Sequence, residues 1–153
     1  KTIKSNWEKV IAEAAFKYAG SVYKDLQTLQ KDKPAEEIRK DSRNYAKHWG
    51  ELKGFVLALQ MGGTDLGETS VQLNRLIGFS PVSLTGDQVT SVDGNGKYVA
   101  SNTIDMSEYM IHMVKVQKLL KARFGLKKLK NEVMDDLSEL NAKLEEKKSA
   151  END

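Results

Sequence analysis

The chain has 153 residues, and a chain of this length buries roughly two thirds of the surface that its unfolded form exposes, which is enough for one hydrophobic core. Its 24 Lys and Arg nearly balance 22 Asp and Glu, so charge gives no broad reason to bind nucleic acid or an anionic membrane. The absence of Cys excludes disulfides, zinc sites built on thiolates and cysteine nucleophiles.

The first predicted helix begins at a capping-box signature, Ser5 followed three residues later by Glu8. Apolar residues then recur at helical spacing, so we predict a helix from about residue 6 to about residue 30 with one face in the core. That face comprises Trp7, Ile11, Ala14, Ala15, Tyr18, Val22, Leu26 and Leu29.

A second helix is predicted to begin at Pro34 and to end at Gly62 and Gly63, because proline suits a first helical position and glycine a helix end. The connector before it is so short that the two helices should pack antiparallel. Residues 50–61 are nearly apolar on all sides, which predicts that this half is central and buried. The apolar stripe of the whole helix comprises Ile38, Tyr45, Trp49, Leu52, Val56 and Leu59.

Small side chains recur every four residues along the second helix and would form one inclined ridge on its surface. Each glycine inside a helix costs about 1 kcal/mol relative to alanine, so Gly50 and Gly54 need a reason. Tight packing of a neighbouring helix is one interpretation, and close approach of a ligand is the other. The ridge comprises Ser42, Ala46, Gly50, Gly54, Ala58 and Gly62.

A shorter helix is predicted for residues 70–77, and regular helical patterning stops after it. Alternating segments at residues 88–92 and 97–100 then flank the turn sequence Asp-Gly-Asn-Gly at residues 93–96. This pattern predicts a small β-hairpin inserted between helices.

Asp105 and Gly125 mark the start and the stop of another long helix with an apolar face. Residues 126–148 are predicted to form a final amphipathic helix, so rich in Lys and Glu that only a narrow stripe can be buried. Residues 149–153 are predicted to be a frayed tail.

The predicted fold class is all-α: an antiparallel bundle of about four to five helices with the hairpin inserted near residues 88–100. The bundle domain is expected to span residues 1–125. No apolar run approaches the roughly 20 residues that a membrane-spanning helix needs, so no transmembrane segment is predicted.

His48 is the better candidate for chemistry of the two histidines. Glu51 lies one helical turn after it, and Asp41 and Asn44 lie one to two turns before it on nearly the same strip. A His and a carboxylate three residues apart project toward a common point, which predicts a divalent-metal or proton-transfer site with Asp41 and Asn44 as further metal candidates. Zinc or iron would need additional groups, and a solvated helix face is the alternative interpretation.

His112 lies among Met106, Met110 and Met113, a grouping that could bind copper or haem. The same methionines match the apolar period of the helix, so core packing is the alternative. The sequence contains no Gly-rich phosphate loop and no Gly-x-Ser-x-Gly elbow, so it gives no support to a nucleophilic triad.

Residues 45–55, Tyr-Ala-Lys-His-Trp-Gly-Glu-Leu-Lys-Gly-Phe, resemble the helix motif Gly-x-His-x-x-Glu of imelysin-like bacterial surface and periplasmic proteins. His48 and Glu51 match the motif, and Ala46 stands where the motif has Gly. The stretch also resembles a related, uncharacterised group of exported bacterial lipoproteins with a Glu-x-x-Gly-Phe helix. The resemblance implies two helical-bundle halves, export to the periplasm or cell surface, and links to metal uptake or binding and to peptidase activity.

The leading functional hypothesis is a non-enzymatic, exported bacterial helical-bundle protein that binds a partner protein or a metal-containing ligand. The first alternative is a structural or assembly subunit that packs through its long helices, and the second is a metallohydrolase of the imelysin type. Because the chain begins abruptly at a helix cap, the expected partner is another protein chain or the N-terminal half of a larger precursor.

Overall fold

The computed structural model describes residues 2–102, 104–127 and 129–136. The prediction of an all-α bundle with a small hairpin insertion is confirmed, and none of the helices in these ranges has the length and apolar character of a membrane span. The elements are, in chain order, α1 (Thr2–Leu29), α2 (Ala35–Met61), α3 (Glu68–Ile77), β1 (Asp87–Val92), β2 (Tyr98–Asn102), α4 (Met106–Phe124) and a 3₁₀ turn (Met134–Asp136).

The four helices form a ring in which α1 packs against α2 and α4, and α3 packs against α4 and α2. Side-chain contacts establish that α1 and α2 are antiparallel, as predicted from their short connector. Glu8 near the start of α1 accepts a hydrogen bond from Thr64 just beyond α2, whereas Asp25 near the end of α1 contacts His48. The pairing brings most of the predicted apolar stripes of both helices to the centre of the ring, with Trp7 as an exposed exception.

The core lies between the four helices, where residues at helical spacing converge from every element. Small residues on α1, Ala12, Ala15 and Ala19, are fully buried and leave room for larger neighbours. The largest side chains of the core are Phe16, Tyr23, Leu26, Leu52, Leu59, Leu73, Ile77, Tyr109, Met113 and Leu120.

The end of α3 is fixed by side chains from two other helices. The carbonyl oxygen of Ile77 accepts a hydrogen bond of 2.6 Å from the Tyr109 hydroxyl and one of 3.4 Å from Trp49 Nε1. Trp49 Nε1 also lies 3.0 Å from the Tyr109 hydroxyl oxygen. Carbonyl groups at a helix end have no partner within the helix, so these bonds satisfy one of them and join α2, α3 and α4.

The predicted hairpin and the predicted start and end of α4 are confirmed. β1 and β2 pair antiparallel, with an irregularity in register between Val89 and Ser91. The Asp105 side chain caps α4 by accepting hydrogen bonds from the backbone N–H groups of the next turn, at 2.7 and 3.1 Å. Gly125 ends the helix in the left-handed conformation, at φ +59°.

The first helix does not begin at the predicted capping box. α1 starts at Thr2, so Ser5 already lies inside the helix and cannot be its cap. Glu8 instead accepts a hydrogen bond of 2.6 Å from the Thr64 hydroxyl and lies 3.8 Å from Lys4 Nζ. The spacing of Ser5 and Glu8 did not mark a capping box, because the Glu8 carboxylate bonds to Thr64, a residue distant in the sequence.

The C-terminal half of α2 is buried on one side only, which corrects the prediction that it is central. The bundle covers Leu52, Val56 and Leu59, whereas Gly50 and Gly54 face away from it and are exposed. A Cβ atom added at either glycine would meet nothing within 4 Å. No neighbouring helix of the described chain therefore packs on the predicted ridge at Gly50 and Gly54, whereas Glu8 of α1 lies beside Gly62 at the end of the ridge.

The predicted amphipathic helix of residues 126–148 does not begin at Leu126. The described residues after Gly125 form an irregular segment, in which Leu126 and Val133 are buried and Asn131 has a φ of +62°. Leu126 and Val133 belong to the predicted apolar stripe and are buried, but the backbone that carries them is irregular and not helical. Residues 137–148 of this prediction, and the predicted tail of residues 149–153, lie outside the described residues.

Gln117 holds this segment against α1 from the buried interior. Its side-chain Nε2 donates to the carbonyl oxygens of Phe16, at 3.0 Å, and Asn131, at 2.7 Å. Its Oε1 accepts a bond of 2.9 Å from the backbone N–H of Val133. A fully buried amide with every bond satisfied stabilises one arrangement of the chain, because leaving any of these groups without a partner is costly.

Candidate functional site

The predicted polar strip of α2 lies partly along the edge where α2 packs against α1. His48 Nδ1 lies 2.6 Å from Asp25 Oδ2, and both side chains are partly buried. When the imidazole is neutral, this contact favours the proton on Nδ1 and leaves Nε2 as the acceptor nitrogen. A carboxylate that orients a histidine in this way occurs both in metal sites and in proton-transfer sites.

Asp25 is the site residue that the sequence analysis missed, because it lies on another helix, 23 positions before His48. Burial raises the pKa of Asp25, the contact with His48 opposes that rise, and the charge of Asp41 adds to it. Antiparallel pairing of the first two helices was the signal that could have found it. That pairing places the end of α1 beside the first half of α2.

Glu51 and Tyr18 continue the same edge. The Tyr18 ring stacks on Phe55, with centroids 5.7 Å apart, and lies 5.9 Å from the His48 ring. Burial raises the pKa of Tyr18, and the Glu51 carboxylate raises it further. Glu51 Oε2 is buried and lacks a hydrogen bond of ordinary length within the described part of the chain, and the Tyr18 hydroxyl is the donor beside this carboxylate.

Asp41 and Asn44 form no hydrogen bond with His48 or Glu51 among the described residues, although the charge of Asp41 acts on Asp25. Asp41 Oδ2 lies 2.7 Å from Lys33 Nζ, and Asn44 is exposed. Within residues 2–102, 104–127 and 129–136, no three His, Asp or Glu side chains are grouped closely enough to hold a metal ion. The metal site at His48 and Glu51 therefore stays a prediction that needs further ligands.

The second histidine occupies a half-buried position between α3 and α4. His112 Nδ1 lies 3.2 Å from the carbonyl oxygen of Leu76, and burial lowers the pKa of the imidazole. Met110 and Met113 belong to the buried core. This placement matches the interpretation of the methionines as core packing.

Exposed apolar side chains lie at the start of α1 and at the end of α2, two helix ends that the Thr64–Glu8 hydrogen bond brings close together. We call these residues the α1–α2 face and define it by Ile3, Trp7 and Val10 of α1 and Leu57 and Met61 of α2. Ile3 and Met61 are 87% exposed and Trp7 is 66% exposed. The prediction that Trp7 lies in the core is wrong, because its position on α1 falls at the outer edge of the bundle.

No family model, no curated protein and no solved structure matches the chain. The resemblance of residues 45–55 to imelysin-like proteins therefore stays a prediction. The function has to be inferred from the geometry of the chain itself.

Proposed function

We propose that this protein is a non-enzymatic helical bundle that binds a partner protein through the α1–α2 face. The observation that carries the proposal is the exposure of Ile3, Trp7 and Val10 at positions i, i+4 and i+7, on one side of α1. Exposed apolar side chains grouped on one side of a helix commonly mark interaction sites, and tryptophan often dominates the binding energy. This spacing is the one through which amphipathic helices recognise each other.

The exposed glycines of α2 support the same surface. Gly50 and Gly54 each cost about 1 kcal/mol relative to alanine, and no contact within the described chain repays that cost. Leu57 and Met61 follow on the same side of the helix and are also exposed. A partner helix that packs here could approach the backbone closely at the glycines and bury the larger side chains beyond them.

Site-specific photo-crosslinking in cells tests the proposal. A crosslinking amino acid at position 7 is compared with one at position 79, because Phe79 is also an exposed aromatic residue (60%) but lies outside the α1–α2 face. We expect a discrete partner to be captured from position 7 and not from position 79, and the capture to be lost in Met61→Glu. Equal capture from both positions would contradict the proposal.

A control is needed to show that Met61→Glu affects binding and not folding. Met61 is almost fully exposed, so its replacement should change the free energy of unfolding by no more than about 0.5 kcal/mol. Urea unfolding of the wild type and the variant measures this difference.

A second copy of the chain is the partner in the assembly-subunit version of the proposal. A strictly monomeric mass in light scattering at micromolar concentration would exclude that version.

A divalent metal ion at His48 and Glu51 is the second candidate, favoured by the buried Glu51 Oε2, which lacks a hydrogen bond of ordinary length among the described residues. Water or a partner chain would have to complete the ligand set. Calorimetric titration with zinc, copper and iron tests this candidate, since binding should disappear in His48→Ala. The same titration tests the metallohydrolase version, which needs the same metal.

Export to the periplasm or cell surface is proposed from the resemblance of residues 45–55 to imelysin-like proteins alone.

A further inference from the structure

A groove lies between α3 and α4, and residues of both helices line it. Its volume is about 360 Å³, within the range of roughly 300–1,000 Å³ that small-molecule sites occupy. Leu76 of α3 and Leu119 of α4 supply its apolar lining. Both side chains are partly buried and pack against the core, so the apolar surface is a fixed part of the bundle.

The residues that line the groove include three basic side chains and no acidic one. Arg75 stands on the α3 wall, and Lys115 and Lys118 stand on the α4 wall. All three are exposed, and no salt bridge joins any of them to an acidic side chain in the portion of the chain that is described. Gln72 is the remaining lining residue, and its amide donates a hydrogen bond of 3.5 Å to Glu68, which lies outside the lining. The groove thus combines apolar walls with an excess of basic side chains.

We propose that this groove binds an amphiphilic carboxylate, a molecule with one saturated hydrocarbon chain and one anionic head group. The hydrocarbon chain lies along Leu76 and Leu119, which removes apolar surface of both molecules from water. The head group lies at the rim between Arg75 and the two lysines, where a guanidinium fork can bond both carboxylate oxygens.

The composition of the groove argues against other classes of small ligand. Sugars and nucleosides need several uncharged polar partners, and Gln72 is the single uncharged polar side chain among the lining residues. An amphiphilic cation would meet three like charges. An anion without a hydrocarbon chain would leave the apolar walls unfilled and would contact only exposed, well-hydrated cations.

Isothermal titration calorimetry on the full chain with dodecanoate, kept below its micellar concentration, tests the proposal. We expect one saturable site per chain, weakening of binding at high salt, and no binding of dodecyltrimethylammonium, which has the same hydrocarbon length and the opposite charge. The double variant Lys115→Glu, Lys118→Glu should bind dodecanoate at least tenfold more weakly.

The matched control is the double variant Lys40→Glu, Lys47→Glu, which changes the net charge equally at two exposed positions of α2. It should bind dodecanoate within about twofold of the wild type, because exposed charges beyond a Debye length of about 10 Å are largely screened. Thermal unfolding verifies that both variants are folded. Equal weakening in the two variants, equal affinity for the cationic amphiphile, or no saturable binding of dodecanoate would each overturn the proposal.

Discussion

Two positions on the long helices carry glycine for opposite reasons. Gly20 of α1 lies beneath the segment that follows α4, and a Cβ atom there would be 1.9 Å from the carbonyl oxygen of Asn131 and 2.8 Å from Gln117 Nε2. Gly54 of α2, like Gly50 one turn earlier, faces solvent, and a Cβ atom would meet nothing within 4 Å. At Gly20 another segment of the chain fills the space that a side chain would occupy, whereas at Gly50 and Gly54 no described residue fills it.

The difference distinguishes a helix surface that the chain itself covers, at Gly20, from one that the described chain leaves uncovered, at Gly50 and Gly54. Where Gly20 lies, Gln117 and Asn131 satisfy buried polar groups and close the packing. The apolar side chains of the α1–α2 face are exposed, and no described residue packs on Gly50 and Gly54 of α2. A stable fold tolerates such a surface at a cost, and a binding partner is a physical reason for keeping it.

The substitution Gly20→Ala should have the largest effect on stability of the four substitutions considered. The new methyl group would overlap the backbone of Asn131, so the segment over α1 must shift and its hydrogen bonds to Gln117 must weaken. We expect a loss of about 2–3 kcal/mol in the free energy of unfolding, measured by urea titration. A neutral result would mean that this segment does not pack over Gly20.

Gly50→Ala and Gly54→Ala should have the opposite sign and a smaller size. Each added methyl group enters open space on a regular helix, so each substitution should stabilise the chain by about 0.5–1 kcal/mol in the same urea experiment. If the glycines serve a partner helix, crosslinking from position 7 should fall although stability rises. Unchanged or lower stability would contradict the exposed placement of these residues.

Asp25→Asn should have the smallest effect, and its sign depends on pH. Burial raises the pKa of Asp25, so the folded chain holds this proton more tightly than the unfolded chain does. The resulting stability is fully present below the unfolded pKa and is lost as pH rises through the raised folded pKa. Asparagine does not titrate, so the variant should gain stability relative to the wild type across that window. Urea titrations of both chains at several pH values measure it, and a parallel pH dependence would contradict the raised pKa.

Most of the fold could be predicted from the sequence, whereas little of the candidate site could. The apolar period of α2, from Tyr45 to Leu59, predicts a buried helix face, and the same period places His48 and Glu51 beside that face. Asp25 and Tyr18, which contact His48, come from α1. No pattern in the sequence around them relates them to a histidine on another helix. That relation depends on the register of helix packing, which no local pattern specifies.

The sequence by itself determined the features whose chemistry is local. Asp105 caps α4 through its own next turn, Gly125 ends it because glycine adopts a positive φ without strain, and residues 93–96 turn the hairpin. Only the tertiary structure decided which surfaces are covered. Gly20 and Gly54 are alike in a sequence, and their difference arises because burial is set by what lies next to a residue in space.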